Sequence, residues 1–332
     1  MADVVAFGEL LIDFVPTVTG RNLADAEAFK KAAGGAPANV AAGLVRLGVT
    51  SAFMGMVGED GFGHFLADTL RGIGVDTSPL RFTAKARTAL AFVSLHADGE
   101  REFLFYRSPS ADMLMAPEDV DEAAIRAARA FHFGSISLIA EPARTGTLHA
   151  VALARRHNKI ITYDPNLRLA LWPHADAARE GMRLGLAEAE IVKISDEELT
   201  FLTGNPDPVA AARSLWHPRL KLVAITLGSA GCYWLTSEEQ GQVPGFSVKA
   251  VDATGAGDAF MAGLIGGLLA EDEILTDRRH LDTICRFANA AGALTTTGRG
   301  AIPSLPTRDA VEALLEQDVH EERDRERSIQ SG

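Results

Sequence analysis

The sequence lacks the features that would place the protein in a membrane or on nucleic acid. No apolar run approaches the roughly 20 residues that a helix needs to cross a bilayer, and the N-terminus has no basic stretch typical of a signal peptide. The 332 residues carry a net charge of −12 and no long basic run, whereas a nucleic-acid backbone demands basic patches. We therefore expect a cytoplasmic protein with neither a nucleic acid nor a membrane as partner.

Cysteines and metal-binding patterns are also scarce. Cys232 and Cys285 are far apart and lie in apolar segments, so we expect buried thiols in a reducing compartment rather than a disulfide. The nine histidines show no metal-ligand spacing. A G-x-x-x-x-G-K-[ST] loop is absent, which excludes a P-loop enzyme. A polyanionic substrate such as ATP must then be held by helix N-termini, a few basic side chains and Mg²⁺.

Short apolar strands alternate with amphipathic helices along most of the chain. The predicted strands lie at 4–7, 51–56, 130–133, 160–164, 191–194 and 222–226. The predicted helices lie at 36–47, 62–71, 121–128, 145–157 and 177–186. This alternation predicts a doubly wound, mostly parallel α/β sheet flanked by helices. We expect a single domain over 1–316, followed by a charged tail over 317–332 that is disordered or a frayed helix end.

Two segments interrupt the alternation and predict a small separate sheet. Residues 10–18 are strand-like, and 88–95 with 102–107 form a predicted hairpin around Asp98-Gly99, a strong turn signal. We expect strands from about 10–33 and 87–112 to form a β-sheet lid over a substrate, the alternative being an edge hairpin without a role. Exposed strand edges seek partners, so we also expect a homodimer through the lid strands.

The stretch 251–263 carries the strongest chemical signal. A turn with Gly255 and Gly257 leads into a small-residue helix, which places free backbone N–H groups and a helix N-terminus at one spot that suits an anion. Asp258 in this turn is placed to take a proton from an attacking hydroxyl, which predicts phosphoryl transfer. An ordinary turn capped by Asp258 is the alternative. The turn also looks like part of a dinucleotide fingerprint, but Phe260 stands at the third glycine position.

A second motif, 34–48, opens another small-residue helix with a glycine pair. Gly34 and Gly35 permit a ligand to approach the backbone closely. Asn39 offers one acceptor and two donors, which suits a sugar hydroxyl, or it caps a helix turn.

Together the two motifs resemble the paired signatures of the ribokinase (PfkB-type) sugar kinase family over about residues 4–306. Within that family the chain is most similar to fructokinases, and this likeness is carried by blocks at 8–14, 87–93, 101–112, 134–139, 164–172 and 295–303. The resemblance implies a ribokinase-like fold with a lid. It also implies in-line transfer of phosphate from Mg·ATP to fructose. The nearest alternative is 2-keto-3-deoxygluconate kinase, and a non-catalytic sugar-binding regulator is a more distant one.

The resemblance also implies roles for individual residues. Asp258 matches the catalytic base, and the anion hole is matched by Gly255, Ala256 and Gly257. The implied sugar contacts are Asp13, Gly34, Gly35 and Asn39, joined by Tyr106 and Arg107 of the lid and by Arg168. In the alternative kinase, Arg107 and Arg168 would bind the carboxylate of the sugar acid. The implied nucleotide contacts are Lys193, Thr226, Gly228, Gly231 and Asn289.

Two cations are implied as well. Glu198 matches a glutamate that organises Mg²⁺ through water, although Ser195 stands where the family often has Asn. Mg²⁺ keeps most of its waters, so one or two carboxylates are adequate. A K⁺ site beside the anion hole is implied by the residues Asp252, Thr254, Thr295, Gly298, Gly300 and Ser304.

Overall fold

The computed structural model describes residues 1–18, 23–95, 101–270 and 278–330, and a nine-stranded sheet forms its centre. In spatial order the strands are β13 (Gln240–Val243), β12 (Cys232–Leu235), β11 (Leu222–Thr226), β10 (Ile191–Ser195), β9 (Ile160–Asp164), β8 (Ala130–Gly134), β1 (Val4–Phe7), β4 (Ser51–Gly58) and β5 (Leu80–Thr83). Neighbours from β11 to β5 pair in parallel, whereas β12 and β13 are antiparallel. All six predicted strands are present.

Helices cover both faces of this sheet. They are α1 (Ala36–Arg46), α2 (Gly61–Ile73), α3 (Glu122–Ala127), α4 (Ala143–Arg156), α5 (Ala175–Glu188), α6 (Asp196–Thr203), α7 (Pro208–Ser214), α8 (Ala256–Ala270), α9 (Arg278–Thr295), α10 (Ala301–Ser304) and α11 (Arg308–Gln330). Side chains alternate along β1, so Val4 joins the cluster under α1, α2, α8 and α9, and Val5 joins the cluster under α3 to α7. The fold is therefore doubly wound, as predicted.

The C-terminal segment continues α11 as far as Gln330. Of the two forms expected for 317–332, the structure describes a helix as far as Gln330, and the order of this tail stays a prediction. Val311 is fully buried and fixes the start of this helix on the core. The helix then extends beyond the core through a run that is rich in charge.

The predicted small sheet is present beside the large one. Its order is β3 (Phe29–Gly34), β2 (Leu11–Pro16), β6 (Leu90–Leu95) and β7 (Arg101–Tyr106), and β6 and β7 form the expected antiparallel hairpin. The predicted turn at 98–99 lies outside the described residues. The register aligns Asp13, Ala91 and Phe105 on one face, and Phe14, Phe92 and Leu104 on the other.

Two sequence expectations about the core can be checked directly. Cys232 and Cys285 are both buried and both free of a disulfide, as expected. Over the described ranges, no helix combines the length and the apolar character needed to cross a bilayer.

Candidate active site

The glycine-rich turn before α8 packs tightly on two sides. Gly255 has a φ of 84°, and a Cβ added there would lie 2.7 Å from the Ala301 side chain, so only glycine fits without strain. A Cβ on Gly257 would lie 2.9 Å from the Lys193 ammonium. The first-turn amides of a helix have no acceptor within that helix, but the Ala256 N–H donates to the Ala253 carbonyl at 3.3 Å. The turn therefore places amides and one buried ammonium at the same point.

Asp258 lies in the first turn of α8 and is held by two side-chain amides. The Asn39 Nδ2 donates to Oδ2 at 2.7 Å, and the Asn166 Nδ2 donates to Oδ1 at 2.9 Å. The carboxylate is only 5% exposed. Burial raises its pKa above the ordinary value, while the Asn39 hydrogen bond, Lys193 and Arg168 act in the opposite direction. A raised pKa brings a general base closer to neutral pH, where proton transfer is efficient.

Behind Asp258 lies a buried ion pair that the sequence analysis did not find. The Lys193 Nζ contacts the Asp164 carboxylate at 2.9 and 3.1 Å, and both side chains are almost fully buried. Burial lowers the pKa of Lys193, but the carboxylates of Asp164 and Glu198 outweigh it and keep the pKa above its usual value. Lys193 therefore stays charged beside the Gly257 turn.

The block 164–168 contributes more to the site than Arg168 alone. Asn166 was not singled out from the sequence, although it stands in that block and bonds the base. Its φ is 44°, and its N–H donates to Asp164 Oδ1 at 3.1 Å. Arg168 acts electrostatically on both Asp13 and Asp258, which places its positive charge in the same cleft.

The predicted sugar loop lies directly against Asp13. A Cβ on Gly34 would overlap the Asp13 carboxylate, and Gly35, with a φ of 111°, has no room for a Cβ against the Glu9 carbonyl. Burial raises the pKa of Asp13 to about 7, with Arg168 opposing the shift and Asp258 reinforcing it. The structure therefore brings together five predicted sugar-contact residues and Asp258, the predicted base. The five are Asp13, Gly34, Gly35, Asn39 and Arg168.

The two lid residues expected at the substrate make other contacts in the structure. Tyr106 lies on the lid face opposite Asp13, where the centroid of its ring is 5.6 Å from that of Phe92. The Arg107 Nε donates to Asp112 Oδ2 at 2.6 Å, and its Nη2 donates to the Ile136 carbonyl at 3.3 Å. Arg107 is only 7% exposed. Strand alternation turns Tyr106 away from Asp13, and a buried carboxylate holds Arg107, so contact of these two side chains with substrate stays a prediction.

Glu9 is a further buried acid that the sequence did not reveal as part of the site. Its Oε1 accepts the Ala36 N–H at 2.9 Å, at the N-terminus of α1. Burial raises its pKa to about 7, although its own backbone, Arg107 and the Ala36 N–H oppose the shift. Glu9 thus supports the turn that carries Gly35.

The predicted nucleotide residues gather at the ends of β11 and β13. Thr226 ends β11, and Gly228 and Gly231 follow with φ values of 57° and 99°. A Cβ on Gly231 would overlap the Val243 carbonyl, and the Asn289 Nδ2 donates to that same carbonyl at 3.2 Å. Lys193 is separate from this group. It lies beside the Gly257 turn, where the sequence predicts an anion.

Glu198 is engaged by backbone amides. Its Oε1 accepts the Leu167 N–H at 2.6 Å, and its Oε2 accepts the Ser195 N–H at 2.9 Å. Ser195 in return caps α6, because its Oγ accepts the Glu198 N–H. The carboxylate is therefore directed at protein donors and does not fit as a direct metal ligand; a contact with Mg²⁺ through water stays a prediction.

Several of the residues expected at a K⁺ site lie around the hydrogen bond between Asp252 and Gly300. Asp252 Oδ2 accepts the Gly300 N–H at 2.9 Å, while its Oδ1 accepts from the amide and hydroxyl of Thr254. Gly298 lies against the Ser304 side chain. Thr295 is fully buried in α9, where its hydroxyl donates to the Ala291 carbonyl.

K⁺ binding at this loop stays a prediction. In the described part of the chain, no group of three or more His, Cys, Asp and Glu side chains could hold a metal ion.

Comparisons with known proteins show which family this chain belongs to. The pfkB family carbohydrate kinase profile matches residues 1–308. A probable fructokinase-7 of Arabidopsis thaliana is 54% identical over 315 residues, which cover 94% of this chain and 92% of the relative. A solved fructokinase from Xylella fastidiosa with bound ATP has a TM-score of 0.88 and 35% identity over 96% of this chain and 100% of its own.

A second solved structure adds ligands to the comparison. It is a fructokinase double mutant from Vibrio cholerae O395 in a form with fructose, ADP and potassium ion bound, with a TM-score of 0.84 and 34% identity. The similarity covers 95% of this chain and 98% of that one. The chain therefore has the ribokinase-like fold and belongs to the pfkB family of carbohydrate kinases.

Proposed function

We propose that this protein is a fructokinase that converts D-fructose and ATP to D-fructose 6-phosphate and ADP. The observation that supports this most directly is the Asp258 carboxylate, which two amides hold at the N-terminus of α8. Asp13 and the Gly34–Gly35 pair lie in the same cleft. The similar proteins named as fructokinases share most of the chain with this one.

The proposed reaction is a direct, in-line displacement. Asp258 accepts the proton of the primary sugar hydroxyl as its oxygen attacks the γ-phosphorus of ATP. The amides of the Gly255–Gly257 turn stabilise the charge on the transferred group, and Lys193 adds a fixed positive charge beside that turn. Closure of the lid sheet excludes water.

The state of Arg107 favours a neutral sugar over a sugar acid. A sugar-acid kinase would need a free guanidinium for the carboxylate, but Arg107 is buried and paired with Asp112. Arg168 is the remaining predicted cation in the cleft, and its charge is shared between Asp13 and Asp258. Fructose carries hydroxyls and no charge, so its binding does not require the guanidinium of Arg107. The carboxylate of 2-keto-3-deoxygluconate would require such a cation, so fructose fits this cleft better.

The proposal includes two cations. Mg²⁺ would arrive with ATP and neutralise its phosphate charge, and Glu198 is the carboxylate that we expect to meet it through water. K⁺ would bind at the loop of Asp252, Gly298 and Gly300, where Asp252 already bonds Thr254 and Gly300. Omitting K⁺ is expected to lower activity while leaving sugar binding intact.

We also propose that two copies pair through their lids, in the cytoplasm. The lid face opposite Asp13 carries a stacked aromatic pair, Phe14 and Phe92, with ring centroids 4.9 Å apart. On the same face Tyr106 is 60% exposed and Leu104 is 47% exposed, an apolar surface that a second lid could cover. Light scattering should give a dimer that Tyr106→Asp dissociates, and a monomeric wild type would rule out this part of the proposal.

The activity is tested by measuring ADP release from Mg·ATP with a panel of acceptors. The panel is fructose, 2-keto-3-deoxygluconate, ribose, glucose, tagatose 6-phosphate and adenosine, with Asp258→Asn as the inactive control. Strong preference for fructose is the expected result. Preference for the keto acid would keep the mechanism and overturn the substrate, and no turnover by a folded protein would favour a sugar-binding regulator.

A further inference from the structure

We propose that Asn166 is a positioning residue for the base, fixing the Asp258 carboxylate in the plane from which it accepts the sugar proton. This inference rests on the proposed kinase reaction and adds a residue to it. The starting observation is that the two carboxylate oxygens have different partners. Asn39, from α1, bonds Oδ2, and Asn166, from the 164–168 loop, bonds Oδ1. With one donor on each oxygen, the carboxylate cannot rotate about its Cβ–Cγ bond without breaking a hydrogen bond.

The backbone of Asn166 is held in place for this contact. Its φ of 44° lies in the left-handed region, which Asn enters more readily than most residues. The Asp164 carboxylate accepts its N–H, and Lys193 fixes that carboxylate in turn. On the other side, the Glu198 carboxylate accepts the Leu167 N–H. A buried ion pair and a helix-capping glutamate thus together direct one amide at Asp258.

This arrangement gives Glu198 and Asp164 a common function. Neither touches Asp258 through a hydrogen bond, but each fixes one side of Asn166 by accepting the N–H of that residue or of the next. The 164–168 loop therefore couples the positions of Asp164 and Glu198 to the orientation of the Asp258 carboxylate.

The amide also affects the charge state of the base. Lys193 and Arg168 favour its ionised form, burial disfavours it, and Asp13 and Asp164 are the neighbouring acids that it influences. The Asn166 hydrogen bond lowers the pKa of Asp258. Removing that bond should raise the pKa, so the acid limb of the rate profile should move to higher pH.

The main test replaces the amide without straining the loop. Asn166→Gly accepts the positive φ freely and deletes the donor, whereas Asn166→Asp keeps the shape and puts a second negative charge beside Asp258. We expect Asn166→Gly to lower kcat at neutral pH roughly 10- to 100-fold, about the effect of one lost hydrogen bond to a charged group. Asn166→Asp should lower kcat further and move the acid limb of the rate profile to still higher pH.

Asn158 offers a matched control. It has a similar φ of 54°, but it lies exposed at the end of α4. Asn158→Gly should leave kcat and the pH profile unchanged. If Asn166→Gly also left the acid limb in place, or lost activity only in proportion to lost folded protein, the positioning role would be wrong.

A second measurement does not depend on turnover. The carboxyl ¹³C resonance of Asp258, assigned by its loss in Asp258→Asn, can be titrated in the ligand-free protein. Its midpoint should rise in Asn166→Gly and stay at the wild-type value in Asn158→Gly. An unchanged midpoint in Asn166→Gly would overturn the inference. Absence of ADP release by the wild type would instead overturn the proposed kinase activity, so the two failures are distinguishable.

Discussion

The two acids of the cleft, Asp258 and Asp13, are held by different parts of the molecule. Asp258 belongs to the body, where α8, α1 and the 164–168 loop fix both of its oxygens. Asp13 belongs to the lid sheet, where it lies against the backbone of Gly34. Both are shifted upward in pKa by burial. The comparison shows that Asp258 is fixed by two amide hydrogen bonds, whereas the position of Asp13 depends on the absence of a side chain at Gly34.

The strongest test of this division removes the charge of the base. Asp258→Asn should lower kcat roughly 10³- to 10⁴-fold, because the proposed mechanism assigns the proton to this carboxylate. The fold should persist, since the burial of this acid already disfavours its charged form. Kinetics and thermal unfolding of the same preparation check both statements. Turnover within tenfold of wild type would show that Asp258 is not the base.

The second test concerns Arg107, which bonds the Asp112 carboxylate and the Ile136 carbonyl. Asp112→Asn removes the charge that balances this buried guanidinium and should cost about 3 kcal/mol of unfolding free energy. Urea unfolding measures that loss. At a temperature where the variant is folded, the KM for sugar should be unchanged; a large rise in KM with little loss of stability would place Arg107 at the substrate after all.

The third test crowds the sugar side. Gly34→Ala would put a methyl group into the Asp13 carboxylate, so we expect kcat/KM for the sugar to fall roughly 10- to 100-fold while the KM for ATP stays the same. Gly72→Ala is the matched control, because a Cβ there meets nothing within 4 Å. Equal effects of the two substitutions on sugar kinetics would contradict the close contact between Gly34 and Asp13.

The fourth and smallest effect concerns Glu9. Its folded-state pKa of about 7 lies above the usual value of 4.5, so the folded protein binds more protons than the unfolded chain between these pH values. Its contribution to stability is therefore present at low pH and is lost as pH rises through about 7. Glu9→Gln keeps an acceptor for the Ala36 N–H and should raise stability at pH 8 by about 1–3 kcal/mol, with little change at pH 4. Parallel unfolding curves at both pH values provide the measurement.

The sequence was informative wherever the signal was local. Apolar runs predicted six of the nine described strands of the central sheet and missed β5, β12 and β13, and glycine spacing singled out both turns of the site. Contacts across the fold left no such trace. Asn166 and Asp258 are 92 residues apart, and nothing in the spacing of either motif indicates that their side chains meet. Likewise Arg107 is a residue type that often binds substrates. Its partner in the structure is Asp112, and this pairing depends on where the 108–112 segment folds back.

The bond between Asn39 and Asp258 joins residues 219 positions apart in the chain. All nine described strands of the central sheet are synthesised before α8 is, yet Asp258 acquires its Asn39 partner only when α8 packs on α1. A nascent chain can therefore bury much of its core while it remains unable to transfer phosphate. Enzymatic activity would then report completion of the fold, since closing so long a loop is among the slowest steps in reaching the native topology.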